Sequence, residues 1–208
     1  MPGGEPASRA LRADLARRRE AALAGHRGDV ATARRLLADS DPKVRAAALG
    51  ALVRCERLKV ADLVGAIGDA SPEVRARAAE VAAAWPGDAP PSLRGLLSDA
   101  DPTVVEAAAW ASGERQPPEP GIVEALAVVG TGHDEPLCRE AAIAALGAIG
   151  DPAGLPAILA ATRDRPAIRR RAVLALAPFD GPQVDEALAR ARSDRDWQVR
   201  QAAEDLTR

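Results

Sequence analysis

Residues 39–52 read DSDPKVRAAALGAL, and the same pattern returns five more times. The copies are DASPEVRARAAEVA (69–82), DADPTVVEAAAWAS (99–112), HDEPLCREAAIAAL (133–146), RDRPAIRRRAVLAL (163–176) and SDRDWQVRQAAEDL (193–206). Each copy is anchored on Pro42, Pro72, Pro102, Pro136, Pro166 or, in the last, Trp197. Successive anchors lie 30, 30, 34, 30 and 31 residues apart. A period of that length, held over most of the 208 residues, marks stacked supersecondary units. A single isolated copy would carry little weight.

Each part of the repeat has a physical reason. Asp41, Ser71 and Asp101 stand just before the proline, where a short oxygen-bearing side chain caps a helix N-terminus. Proline suits the first helical position, because its missing N–H would have had no partner there. Two residues on come Val44, Val74, Val104, Cys138, Ile168 and Val199. Ala48, Ala78, Ala108, Ala142, Ala172 and Ala203 follow four residues later. The result is a narrow apolar stripe at helical spacing, with alanines that let neighbouring helices approach closely. Cys55, Trp85, Ile149 and Phe179 recur thirteen residues after the anchor and read as plugs at the helix end.

A second amphipathic segment separates the anchored helices. It reads KVADLVGAIGD (59–69), PPSLRGLLSD (90–99), GIVEALAVVG (121–130), DPAGLPAILAATRD (151–164) and GPQVDEALARARSD (181–194). Each unit is therefore helix, turn, helix. One hairpin cannot bury its own apolar face, so the units must stack. The pattern predicts an all-α chain, an α-α superhelix or right-handed solenoid of about six hairpins. The repeats fall near 28–55, 56–86, 87–115, 116–150, 151–180 and 181–208. Residues 1–27 then form an N-terminal tail and an arginine-rich capping helix.

Composition agrees. Alanine, leucine and valine dominate, with one Phe, three Trp and no Tyr, while 17 Pro and 17 Gly punctuate short helices. The formal net charge of -2 gives no overall basic balance of the sort a nucleic-acid binder shows. Cys55 and Cys138 have no CxxC spacing, and each sits at an apolar repeat position, so both read as buried, inert thiols. No secretory signal opens the chain, and no stretch reaches the ~20 apolar residues that a membrane helix needs. A soluble, cytoplasmic protein with no membrane association is expected.

The stretch GDPAGLPAILAATRDRPAIRRRAVLAL, from Gly150, resembles the short bacterial type of HEAT repeat, the type also found in phycobilin lyase subunits. The resemblance covers roughly residues 28–208 and implies an armadillo-like α solenoid. In this family an arginine three residues after the anchor pairs with an aspartate in the inter-helix turn. That implies a ladder built from Arg45, Arg75, Arg139, Arg169 and Arg200 with Asp39, Asp69 and Asp194. A stripe of arginines facing phosphates is the competing reading of those positions.

The third copy departs from the pattern. Val105 stands where the arginine belongs, which would leave Asp99 without its partner. Glu106 and Trp110 follow, then the proline-rich insertion SGERQPPEPG at 112–121, which reads as an elbow or as a cover over Trp110. Positions one, four and eight after the anchor share one helix edge, away from the valine and alanine stripe. That edge carries Glu73, Glu80, Thr103, Glu106, Trp110, Leu137, Glu140, Arg170 and Leu174. As the expected concave edge, it reads as a groove for a partner peptide or helix; the alternative is a Trp110 tucked beneath the insertion.

Catalytic constellations are missing from the sequence. His26 and His133 are the only histidines and lack ligand spacing, and no Walker, G-x-S-x-G or G-x-G-x-x-G motif occurs. The His-Glu pairs of deoxyhypusine hydroxylase, an iron enzyme of similar repeats, are absent. No metal, cofactor or catalytic residue is expected. The expected role is a non-catalytic scaffold for a protein partner, nucleic acid not being the expected ligand. The alternatives are a nucleic-acid-binding module like the HEAT-like DNA glycosylases, or a lyase-subunit-like protein.

Overall fold

A computed structural model describes residues 5–85 and 90–206, with side chains from Arg12 onward. The tail at 1–4 and the boundary expected at 86–87 lie outside the described residues. Among the described residues every regular element is helical, and the chain divides into two compact units, Met1–Pro91 and Ser92–Arg208.

The first unit holds α1 (Glu5–Arg27), α2 (Val30–Leu36), α3 (Pro42–Arg54), α4 (Val60–Ile67) and α5 (Pro72–Ala83). Helices α1, α3 and α5 pack side by side in one layer, with α2 and α4 in a second. The second unit holds a 3-10 segment (Arg94–Ser98), α6 (Pro102–Glu114), α7 (Ile122–Gly132), α8 (Pro136–Ile149), a 3-10 turn (Pro152–Gly154), α9 (Leu155–Ala161), α10 (Pro166–Ala175), α11 (Pro182–Arg192) and α12 (Trp197–Asp205). Here α6, α8, α10 and α12 form one layer, and α7, α9 and α11 form the other. Each unit is thus a stack of helix pairs, the α-solenoid arrangement, with the anchored helices in one layer.

The repeat stripe is the core. Val44, Val74, Val104, Cys138, Ile168 and Val199 are all buried, as are the six alanines that follow them. Burying each large aliphatic side chain contributes about 1.5–3 kcal/mol. Small residues set the spacing between layer neighbours. A Cβ built on Gly113 would come 2.8 Å from the Ala145 Cα, and one on Gly147 would come 2.7 Å from the Ala175 Cα. The backbones of α6 and α8, and of α8 and α10, therefore touch where glycine permits it. The expected plugs Cys55, Trp85, Ile149 and Phe179 are only half-buried, at or just beyond their helix ends.

Several local readings change. The segment at 90–99 makes only the 3-10 turn Arg94–Ser98, because Pro90 and Pro91 leave too short a run for an α-helix. Asp41 and Asp101 cap their helices, accepting from Lys43 N–H and Thr103 N–H, but Ser71 makes no side-chain cap. Asp69 accepts from the Ser71 N–H at 2.8 Å. Residues 112–114 of the insertion are the last turn of α6, not loop. Beyond them Arg115 is buried, and Glu119 accepts from the Ser92 hydroxyl and the Leu93 N–H.

Candidate functional site

The arginine positions come first, because they fix how neighbouring repeats register. Arg45 donates Nε and Nη2 to the Asp69 carboxylate at 2.9 and 2.6 Å. Its Nη1 donates to the carbonyls of Asp39 and Ser40 in its own turn. Arg139 does the same with Asp164 ahead and the His133 and Asp134 carbonyls behind. Arg169 does so with Asp194 ahead and the Asp164 carbonyl behind. Each guanidinium therefore ties its own turn to the next one. Hydrogen bonds from these arginines, ahead of the desolvation that opposes them, hold Asp69, Asp164 and Asp194 below the usual carboxylate range. Arg75 and Arg200 donate to carbonyls of their own turns.

Two rungs were not legible. Asp164 lies one residue later than the aspartates at 39, 69 and 194 relative to its anchor, and Arg163 stands at the equivalent position. Arg17 of α1, which has no proline anchor, donates Nε to Asp39 at 2.9 Å. Helix α1 therefore acts as a layer member that begins the ladder as well as ending the stack.

The forward direction of the pairing corrects the reading of the third copy. Val105 omits the rung toward the turn at His133, not one from Asp99, and Asp99 is not without a partner. Val105 is fully buried. At the turn ahead, His133 replaces aspartate, and its Nδ1 accepts from the Glu135 N–H at 3.0 Å. The aspartates make the same turn bond to the N–H two residues on, at Asp41, Ser71, Asp101 and Asp196. His133 keeps that local bond without a carboxylate that would then lack its arginine.

Beside this omitted rung a groove of about 520 Å³ opens between α6 and α8. Helix α6 contributes Glu106, Trp110, Gly113 and Glu114 to it. Helix α8 contributes Leu137 and Glu140 near its start, then a floor of Ala141, Ala144, Ala145 and Ala148. Arg171 of α10 also lines the groove and reaches Glu140 at 3.4 Å. Trp110 is 49% exposed and Leu137 55%, so the insertion does not cover the indole. Position five after the anchor is the small Ala141 on α8, which leaves room for the groove. On α5 of the first unit that position is Arg77, whose Nη2 lies 3.0 Å from where a Gly50 Cβ would be, while on α3 it is Ala47. Ala141 leaves the corresponding space empty.

The structure thus gathers Glu106, Trp110, Leu137 and Glu140 of the expected edge around one groove. Thr103 is exposed at the start of α6 and donates its hydroxyl to Asp101. Arg170 and the exposed Leu174 lie on α10 outside the lining, and Arg171 takes the place expected for Arg170. Glu73 and Glu80 belong to the first unit, where Glu80 pairs with Arg77 at 2.7 Å. Trp197, at the first position of α12, is 64% exposed.

Cys138 is buried behind the groove. Its thiol donates to the Pro102 carbonyl at 3.2 Å, and burial, reinforced by Glu106 and Glu135, pushes its pKa up to about 11. A thiol held in that state is a poor nucleophile. Among the described residues no three His, Cys, Asp or Glu side chains come together as a metal site, and no helix is long and apolar enough to cross a membrane.

A family model described as HEAT repeats matches residues 60–129 and 123–206. Among solved structures, YibA of Escherichia coli is similar at 19% identity and a TM-score of 0.58. That match covers 81% of this chain and 66% of YibA, so the chain spans just under two thirds of YibA's length. An engineered protein matches at 19% identity and a TM-score of 0.58, over 85% of this chain and 94% of its own. A designed armadillo repeat protein matches at 17% identity and a TM-score of 0.54, over 83% and 95%. At such identities the likeness is one of fold. No curated protein sequence matches the chain.

Proposed function

Because this chain belongs to the HEAT-repeat family, we propose that it is a non-catalytic scaffold that holds a protein partner in the groove between α6 and α8. The observation that carries this reading is the half-exposed Trp110 standing over a floor of alanines, with the exposed Leu137 opposite. An indole in that setting offers a large, rigid anchor for a partner side chain. Thr103, Leu174 and Arg170 extend the same edge for a longer segment. Glu73 and Glu80 are kept as candidate contacts on the first unit. The protein works in the reducing cytoplasm, where Cys55 and Cys138 remain thiols.

A nucleic-acid module is the reading from another class. It fits this groove poorly, because Glu106, Glu114 and Glu140 outnumber the single Arg171 and repel phosphate. The scaffold reading is tested by affinity capture from the native host with wild-type protein and Trp110→Ala in parallel. Recovery of the specific partner should fall at least about tenfold with the variant, as for loss of an anchor residue. Equal recovery would sink the groove as the binding site.

A further inference from the structure

The charge of the groove specifies more than the presence of a partner. Glu106, Trp110 and Glu114 follow one another at intervals of four along α6, so they form a single stripe of carboxylate, indole, carboxylate. The third carboxylate, Glu140, is answered by Arg171 at 3.4 Å. Glu106 and Glu114 enter no ion pair among the described residues. The site thus has an apolar centre and two uncompensated anionic ends.

We propose that the occupant is an extended segment of a partner protein carrying lysine or arginine, an apolar residue, and lysine or arginine at alternate positions. This rests on the scaffold reading and names its ligand class. Glu106 and Glu114 are eight residues apart, about 12 Å along the helix at ~1.5 Å per residue. An extended peptide places residues i, i+2 and i+4 on one side and covers about 13 Å over that span. The two cations then meet the two glutamates while the middle side chain packs against Trp110. The match between those two lengths is the ground for an extended occupant.

The test uses the whole chain and one short synthetic peptide family, with Trp110 fluorescence read in a Trp85→Phe/Trp197→Phe background. The peptides carry lysine, leucine and lysine at alternate positions, the same with glutamine for lysine, the same with glutamate for lysine, and the lysine peptide with one cation moved by a residue. The lysine peptide should bind tightest, weaken as salt rises from about 0.05 to about 0.5 M, over which the Debye length shrinks about threefold, and lose about threefold when one cation is moved. The Glu106→Gln/Glu114→Gln variant should lose about tenfold for it while binding the glutamine peptide as wild type does.

Equal binding of all four peptides, or an unchanged Kd in the double variant, overturns the charge inference. If partner recovery still depends on Trp110 in that case, the scaffold reading stands and only its ligand class is wrong. Failure of the lysine peptide to bind also overturns the inference. So does concentration-dependent self-association abolished by Glu106→Gln/Glu114→Gln, which would identify a second copy as the occupant.

Discussion

Arg169 shows what a single repeat residue does. Its side chain is nearly buried and holds Asp194 with two nitrogens while bonding the Asp164 carbonyl with a third. Replacing it with alanine strips the Asp194 carboxylate of its charged donor and should cost about 1–3 kcal/mol in urea unfolding. Arg169→Lys should recover only part of that, because an ammonium cannot reproduce the planar fork. The same pairing has a pH signature. Asp69, Asp164 and Asp194 have depressed native pKa values, so their stabilisation is complete above the ordinary carboxylate pKa of about 4. It is lost as pH falls below that toward the depressed native values. Unfolding midpoints should therefore be flat from pH 7 to about 5 and fall below about 4. In Arg169→Ala the acid fall should be shallower, and an equally steep fall would remove Asp194 from the account.

At the scale of the element, the close approach of α8 and α10 depends on Gly147. A Cβ there would meet backbone, not a flexible side-chain tip, so Gly147→Ala should destabilise by about 1–3 kcal/mol despite alanine's higher helix propensity. A gain in thermal stability would show that the two helices can separate freely. The omitted rung makes a second case. Val105→Arg alone places a guanidinium in a fully buried site and should cost about 2–4 kcal/mol. Adding His133→Asp supplies the missing carboxylate and should return about 1 kcal/mol or more beyond additivity. Additive effects would mean that the two positions do not face each other. Helix starts and stripe residues were legible because proline, aspartate and the alanine stripe act locally. The Asp164 rung was not, since its register slips by one residue, and Arg17 was not, since α1 lacks the anchor. The 3-10 turn at Arg94–Ser98 escaped because amphipathic spacing alone does not weigh two prolines at the start of a short segment.

At the scale of the whole molecule, a repeat chain takes its fold from what the copies share and its specificity from where they differ. The six anchors made the all-helical stack readable directly. The groove was readable in part. Offsets of one, four and eight residues found Glu106, Trp110, Leu137 and Glu140, because those offsets follow from helix geometry. They missed Glu114, Ala141 and Arg171, because the opening depends on what the neighbouring helix sends across the gap. Arg77 crosses to Gly50 in the first unit, whereas Ala141 leaves the space beside Trp110 open.

The competing surface in the second unit is the layer of α7, α9 and α11, where Val128 of α7 is 71% exposed. The most direct measurement is site-specific photo-crosslinking in the native host, with a photoreactive residue placed at position 137, which leaves Trp110 in place, or at position 128. The groove account predicts a partner adduct from position 137 and none from 128. An adduct from 128 with none from 137 would contradict it.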